Sequence, residues 1–245
     1  MNRKLESKVV LVTGASSGIG RATALALSTA GALVVAAGRR TENLQELVEE
    51  APGEMLAVEL DVTDRESVDR AVAAAVERFG RLDALVNNAG LMLAGMVVGA
   101  NTDEWVRMVE TNLLGSMFVA HAALPHLVET HGAFVQVSST SGRIASAGAA
   151  VYSATKFGIT AFAEAVRQEV TSRGVRVVVV EPGFVETELT DHTTDPVMRD
   201  AADQIGRSMR TLQPEDIADA IVFALTQPEH VSINELLVRP TDQVH

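Results

Sequence analysis

The only tyrosine in the chain, Tyr152, stands four residues before a lysine, Lys156. On a helix, positions i and i+4 share a face, which sets a phenol beside an ammonium. A free phenol titrates near ~10 and stays protonated at neutral pH. A cation about 4 Å away contributes up to ~4 kcal/mol at an effective dielectric of about 20, enough to draw the phenol's titration down toward neutrality. The expectation is a tyrosine that gives and takes protons near pH ~7 with the lysine as its activator. Ser139, which follows the apolar run from Ala133 to Val137, is expected at a strand end with its hydroxyl toward a cleft. Taken alone, Tyr-x-x-x-Lys occurs on many amphipathic helices and names no reaction.

The elements that must position these groups read as strands alternating with helices. Val9 to Val12 is a buried strand leading into Thr13-Gly14-Ala15-Ser16-Ser17-Gly18-Ile19-Gly20 and a helical pattern to about Ala30. Glycines between a strand and a helix let a pyrophosphate approach the free N–H groups of the helix N-terminus. The second strand, Leu33 to Ala37, ends in Gly38-Arg39-Arg40, where dinucleotide folds that bind an unphosphorylated ribose carry an acidic residue. Two guanidinium groups in that place favour a ribose phosphate, and hence NADP(H), with a solvated basic turn as the other reading. Arg39 is expected to point at the phosphate and Arg40 at solvent.

A third strand, Met55 to Leu60, precedes Asp61-Val62, with Asp61 a candidate acceptor for an adenine amino group. A fourth, Ala84 to Val86, precedes Asn87-Asn88-Ala89-Gly90 at the strand's C-terminal end, where doubly wound sheets bind ligands. One long helix from about Asp103 to Val128 carries Asn112, and the helix with Tyr152 and Lys156 continues to about Ser172. Val175 to Val180 is uniformly branched, as a strand buried on both faces requires. Residues 188 to 211 show no clean period, and His192 among them is read as a solvated loop residue, with a substrate contact as the alternative. A helix from about Pro214 to Leu225 and a strand from Glu235 to Val238 follow. The pattern gives one α/β domain over residues 1–245, without repeat or linker.

Bulk composition narrows the function classes. A formal charge of −12 argues against general nucleic-acid binding and against an anionic membrane surface. With no cysteine, disulfides, thiolate catalysis and cysteine-based zinc sites are excluded. The apolar fraction is 47% but aromatics make up only 4%, so the core is aliphatic. His121, His126 and His131, five apart, fall on different helix faces and suggest no metal site; Trp105 is read as packing. No signal region or spanning stretch is visible, and a cytoplasmic protein is expected.

The motifs TGASSGIG at 13–20, NNAG at 87–90, Asn112, Ser139, YSATK at 152–156 and PG at 182–183 together resemble the short-chain dehydrogenase/reductase family, in order and spacing, over essentially the whole chain. The resemblance implies a Rossmann-type, doubly wound, seven-stranded parallel sheet of order 3-2-1-4-5-6-7, with helices on both faces. It implies catalytic roles for Asn112, Ser139, Tyr152 and Lys156. For the cofactor it implies contacts from Gly14, Ser16, Ser17, Gly18, Ile19, Gly20, Arg39, Arg40, Asp61, Val62, Asn88, Ala89 and Gly90, and from Tyr152, Lys156, Pro182, Gly183, Val185 and Thr187. Tyr152 would exchange the proton, Lys156 hold the nicotinamide ribose, Ser139 bond the carbonyl, and Asn112 kink its helix to hold a relay water. Thr187 would meet the carboxamide.

The activity so implied is NADP(H)-dependent hydride transfer to or from a small carbonyl or alcohol. TNLLGSMF, VYSATKFG and the C-terminal RPTDQV are similar to family members that reduce clavaldehyde; a 3-hydroxy acid is the alternative substrate. Against a non-catalytic dinucleotide sensor stands the presence of both tyrosine and lysine. The epimerase and dehydratase branch is disfavoured by the TGxxxGxG spacing. No nucleic-acid or membrane partner is expected. Members commonly form homotetramers, or homodimers, through the two long helices, here about 103–128 and 152–172, where Phe157, Ala161 and Ala165 permit close contact.

Overall fold

Seven short apolar runs, rich in valine, line up side by side in a computed structural model that describes residues 5–244. The strands are β1 (Val9–Thr13), β2 (Leu33–Gly38), β3 (Met55–Glu59), β4 (Ala84–Asn87), β5 (Ala133–Val137), β6 (Arg176–Pro182) and β7 (Glu235–Val238). All pairings are parallel and the order is β3-β2-β1-β4-β5-β6-β7, as the family resemblance implies. Branched side chains suit this sheet because helices cover both of its faces. The central strands β1 and β5 are wholly buried, whereas the edge strands β3 and β7 are partly open to solvent.

Period-two alternation splits each strand between two cores. Val10 and Val12 face Leu27 of α1 (Gly18–Thr29), Leu44 and Leu47 of α2 (Thr41–Glu50), and Ile217 and Ile221 of α8 (Pro214–Leu225). Val9 and Leu11 face Val72 of α3 (Arg65–Phe79), Leu127 of α5 (Ser116–Thr130) and Val166 of α6 (Ala150–Val170). The connection reverses between β1 and β4, and this reversal opens a crevice beyond their C-terminal ends.

Two elements depart from the sequence expectation. The long helix around Asn112 is wound in three parts: α4 (Thr102–Met108), a π-helical turn over Val109–Gly115, and α5. The wider winding inserts extra backbone where a helix side chain must be re-aimed, and residue periodicity carries no mark of it. The stretch without a clean period contains a 3₁₀ turn, Glu188–His192, and a helix, α7 (Pro196–Ser208). Asp195 caps that helix by accepting from the Val197 and Met198 amides, and Pro196 opens it, so local cap chemistry carries a signal that periodicity does not.

Candidate functional site

The glycine loop is shaped by backbone crowding. A Cβ on Gly20 would stand 2.3 Å from the Gly14 carbonyl oxygen and 2.6 Å from Asn88 Nδ2, so only glycine lets α1 close onto the loop. Gly18 has φ +50 and its missing Cβ would press on Thr187 Cγ2 at 3.1 Å, which brings the loop after β6 against the start of α1. Ser17, the N-cap of α1, makes no side-chain capping bond, and the dipole of the helix faces the groove with its positive end.

A polar network that sequence reasoning passed over fixes the crevice floor. Thr13 Oγ1 accepts from the amides of Asn88 (2.9 Å) and Ala89 (3.0 Å), while Asn88 Nδ2 donates to the Thr13 carbonyl at 2.9 Å. Buried Asn87 donates to Gln136 Oε1 at 3.0 Å and to the Ser116 carbonyl at 2.9 Å. β1, β4, β5 and α5 are thereby tied at the strand ends, where a parallel ladder runs out of backbone partners. The signal that would have found Thr13, Asn87 and Gln136 is their polarity at the ends of otherwise apolar strands.

Asn112 lies on the π turn and is 1% exposed. Its Oδ1 accepts from the Leu91 amide and its Nδ2 donates to the Leu91 carbonyl, each at 2.8 Å. Nδ2 also lies 3.3 Å from Thr155 Oγ1, which donates to the Tyr152 carbonyl at 2.7 Å. The asparagine therefore clamps the chain after β4 to the turn of α6 that bears the tyrosine.

Tyr152 and Lys156 stand one turn apart on α6, both buried. Lys156 Nζ donates to the Val137 carbonyl at 3.2 Å and lies 5.7 Å from the centre of the Tyr152 ring. Ser139 caps the 3₁₀ turn Thr140–Gly142, its Oγ accepting from the Ser141 amide at 3.0 Å, and it also bonds the Tyr152 side chain. The expected lowering of the phenol is overturned. Burial pushes Tyr152 up to about 12, only partly offset by the bond from Ser139. Burial likewise lowers Lys156 to about 8. Burial favours the neutral form of each group, and the ammonium makes its hydrogen bond to the Val137 carbonyl.

These groups open on a single cavity of about 300 Å³ that runs from Arg39 and Asp61 to Ser139 and Tyr152. Gly14, Ser16, Ser17, Gly18 and Ile19 line it together with Arg40, Val62, Asn88, Ala89 and Gly90. Lys156, Pro182, Gly183, Val185 and Thr187 complete the predicted set along its wall. Gly20 and Asn112 do not reach the wall; they act behind it, by close packing and by clamping. Leu60, Leu91, Thr111, Val137, Ser138, Glu188 and Leu189 line it unforeseen, and exposed His192 lines it too. Arg40 is exposed, as expected, but it is also bonded: its Nε lies 3.2 Å from Ser16 Oγ and its Nη1 donates to Glu188 at 2.9 Å. Arg39 acts on Asp61 by charge: burial there raises the carboxyl, and the bonds from Thr63 together with the Arg39 cation bring it below its ordinary value.

The sequence profile of the short chain dehydrogenase family matches residues 8–197. The chain belongs to that family. An uncharacterized oxidoreductase of Staphylococcus aureus (strain MRSA252) is 38% identical over 238 residues, covering 96% of this chain and 98% of the relative. A serine dehydrogenase solved in its closed form with NADP+ is similar at a TM-score of 0.90 and 34% identity, over 97% of this chain and 96% of that one. An alcohol dehydrogenase from Thermococcus sibiricus, solved with 5-hydroxy-NADP, gives a TM-score of 0.86 at 30% identity, over 96% and 97%. This short-chain dehydrogenase is thus an oxidoreductase of the Rossmann type, and its structural neighbours include NADP-bound dehydrogenases. Among the described residues no cluster of histidine and acidic side chains could hold a metal ion.

A nicotinamide dinucleotide fits what the residues present. The cavity is long, begins at a glycine loop whose missing Cβ atoms leave room for close approach, and ends at a buried phenol and ammonium.

Proposed function

We propose that this short-chain dehydrogenase is NADP(H)-dependent and moves a hydride between the nicotinamide and the carbon of a small carbonyl or alcohol. One observation carries the reading: the Ser139–Tyr152–Lys156 corner and the arginine pair at 39 and 40 sit at opposite ends of one groove. When bound, the nicotinamide supplies or accepts the hydride. Ser16, Ser17, Gly18 and Ile19 hold the pyrophosphate end, and Arg39 and Arg40 meet the ribose phosphate. Asp61 and Val62 bound the adenine, while Asn88, Ala89 and Gly90 form the opposing wall. Pro182, Gly183, Val185 and Thr187 orient the carboxamide, and Lys156 holds the nearer ribose.

Tyr152 donates its proton to the substrate oxygen during reduction, and Ser139 donates a hydrogen bond to the same oxygen. A phenol held neutral by burial is the form that donates. In the reverse direction Tyr152 must first lose that proton, with Lys156 as the nearest cation. Asn112 positions the corner and, on the family pattern, holds a relay water by its backbone.

For the substrate, the sequence segments favour an aldehyde of the clavaldehyde kind. The likeness to a serine dehydrogenase favours a 3-hydroxy acid as the second reading. The segment 188–211 selects between them. The reading places the enzyme in the cytoplasm as a homotetramer. Exposed Val106, Leu114 and Phe157 on α4, the π turn and α6 support that assembly. No helix among the described residues is long and apolar enough to cross a membrane. The test is a panel of aldehydes and ketones with NADPH or NADH, and of 3-hydroxy acids, including serine, with NADP+ or NAD+. Turnover with the phosphorylated cofactor identifies the class; turnover only with NADH or NAD+ refutes the cofactor assignment.

A further inference from the structure

Arg40 joins three segments far apart in the chain. Its Nε lies on Ser16 Oγ, one terminal nitrogen donates to Ser17 Oγ and the other to Glu188 Oε2. Ser16 and Ser17 belong to the glycine loop, Arg40 follows β2, and Glu188 opens the 3₁₀ turn directly after Thr187. All four line the cavity. Ser17 serves Glu188 as well as Arg40, and the Arg40 guanidinium holds the Glu188 carboxyl below the usual carboxylate range. The glutamate is therefore charged at neutral pH and sits on the cation nearest the phosphate-loop serines.

The bridge is built to be exchanged. Its side chains are 46% and 55% exposed, and ion pairs so open to water contribute little. A ribose phosphate carries about 1.5–2 negative charges and three strong acceptor oxygens, so it competes for a guanidinium more strongly than one carboxylate does.

We propose that Glu188 is a specificity-determining residue that occupies the Arg40 donors a ribose 2′-phosphate would take. A dinucleotide with that phosphate displaces Glu188 and frees the turn Glu188–His192, whereas one without it leaves the bridge shut. The proposal rests on the NADP(H) reading above. It couples cofactor choice to the substrate end, because Thr187, Leu189 and His192 line the same cavity and the Leu189 amide donates to Thr187 Oγ1 at 3.3 Å. It also sets an unusual sign: neutralising an acidic residue at the mouth strengthens the phosphorylated ligand selectively.

Calorimetric binding of 2′,5′-ADP and 5′-AMP to the parent and to Glu188→Gln tests this without turnover. The variant is expected to bind 2′,5′-ADP about 2- to 5-fold tighter, the scale of an exposed charge pair, with 5′-AMP unchanged. Amide exchange over residues 187–192 of the parent is expected to be faster with 2′,5′-ADP than with 5′-AMP. Unchanged or weaker 2′,5′-ADP binding in the variant overturns the proposal, as does equal exchange with the two ligands. A parent that does not prefer 2′,5′-ADP to 5′-AMP removes the NADP(H) reading itself, and is thereby told apart from a failure of Glu188 alone.

Discussion

The two ends of the groove are held by opposite physics. At the tyrosine corner Tyr152 and Lys156 are 6% exposed each, and their contacts are hydrogen bonds to a serine and a backbone carbonyl. At the arginine end the charges are half in water, and Arg40 is shared among two hydroxyls and a carboxylate. Desolvation governs the first, so protonation states there are displaced far from their ordinary values. Screened Coulomb attraction governs the second, so its contacts are readily traded and weaken with salt. The comparison teaches that proximity of opposite or unlike groups does not fix the sign of a titration; the water removed around them does.

The largest effect should come from breaking the buried end. Tyr152→Phe keeps the ring and its packing but removes the proton, and kcat should fall by about 10² to 10⁴, the range general acid catalysis supplies. NADPH binding, followed by fluorescence, should change little. Full activity in this variant takes Tyr152 out of the mechanism and revives a non-catalytic reading of the fold.

At the exposed end, Arg39→Ala should weaken NADPH by roughly 10- to 150-fold, the worth of a hydrogen bond to a charged group, and leave NADH nearly untouched. Measuring kcat/KM for both cofactors at low and high ionic strength sharpens the contrast. Salt should erode the NADPH preference of the parent, and a salt-independent preference would mean that the mouth is not governed by screened charge.

A smaller effect is expected behind the wall. Asn112→Ala leaves the Leu91 amide and carbonyl without their partner in a buried place, at a cost of about 1–3 kcal/mol. Chemical denaturation should show that loss. If stability is unchanged, the clamp contributes nothing to holding α6 against the chain after β4.

The parts legible in the sequence were those written as local patterns. Alternating apolar runs and helical periods gave the strands, and glycine between β1 and α1 gave the loop, because backbone crowding at Gly20 tolerates no side chain. Motif order gave the sheet order through family resemblance, not through spacing. What stayed hidden depends on contacts across the chain. The π turn at Asn112 has no periodic mark, and the Thr13–Asn88 and Asn87–Gln136 bonds join strands whose adjacency no local pattern states. The pairing of Arg40 with Glu188 spans 148 positions and could not be read from either neighbourhood. Lys156 four residues after Tyr152 correctly suggested a shared face, but burial of both groups reversed the expected direction of the phenol's shift.

Because Tyr152 is the only tyrosine in the chain, its ionisation can be followed without ambiguity. Near-ultraviolet absorbance of tyrosinate, titrated in the cofactor-free protein, reads the buried phenol directly. Burial holding Tyr152 near about 12 predicts no tyrosinate through pH ~9 and ionisation only in strong alkali. A tyrosinate signal rising between pH ~7 and ~9 would show that Lys156 prevails over desolvation, and would contradict the account of a neutral, proton-donating phenol.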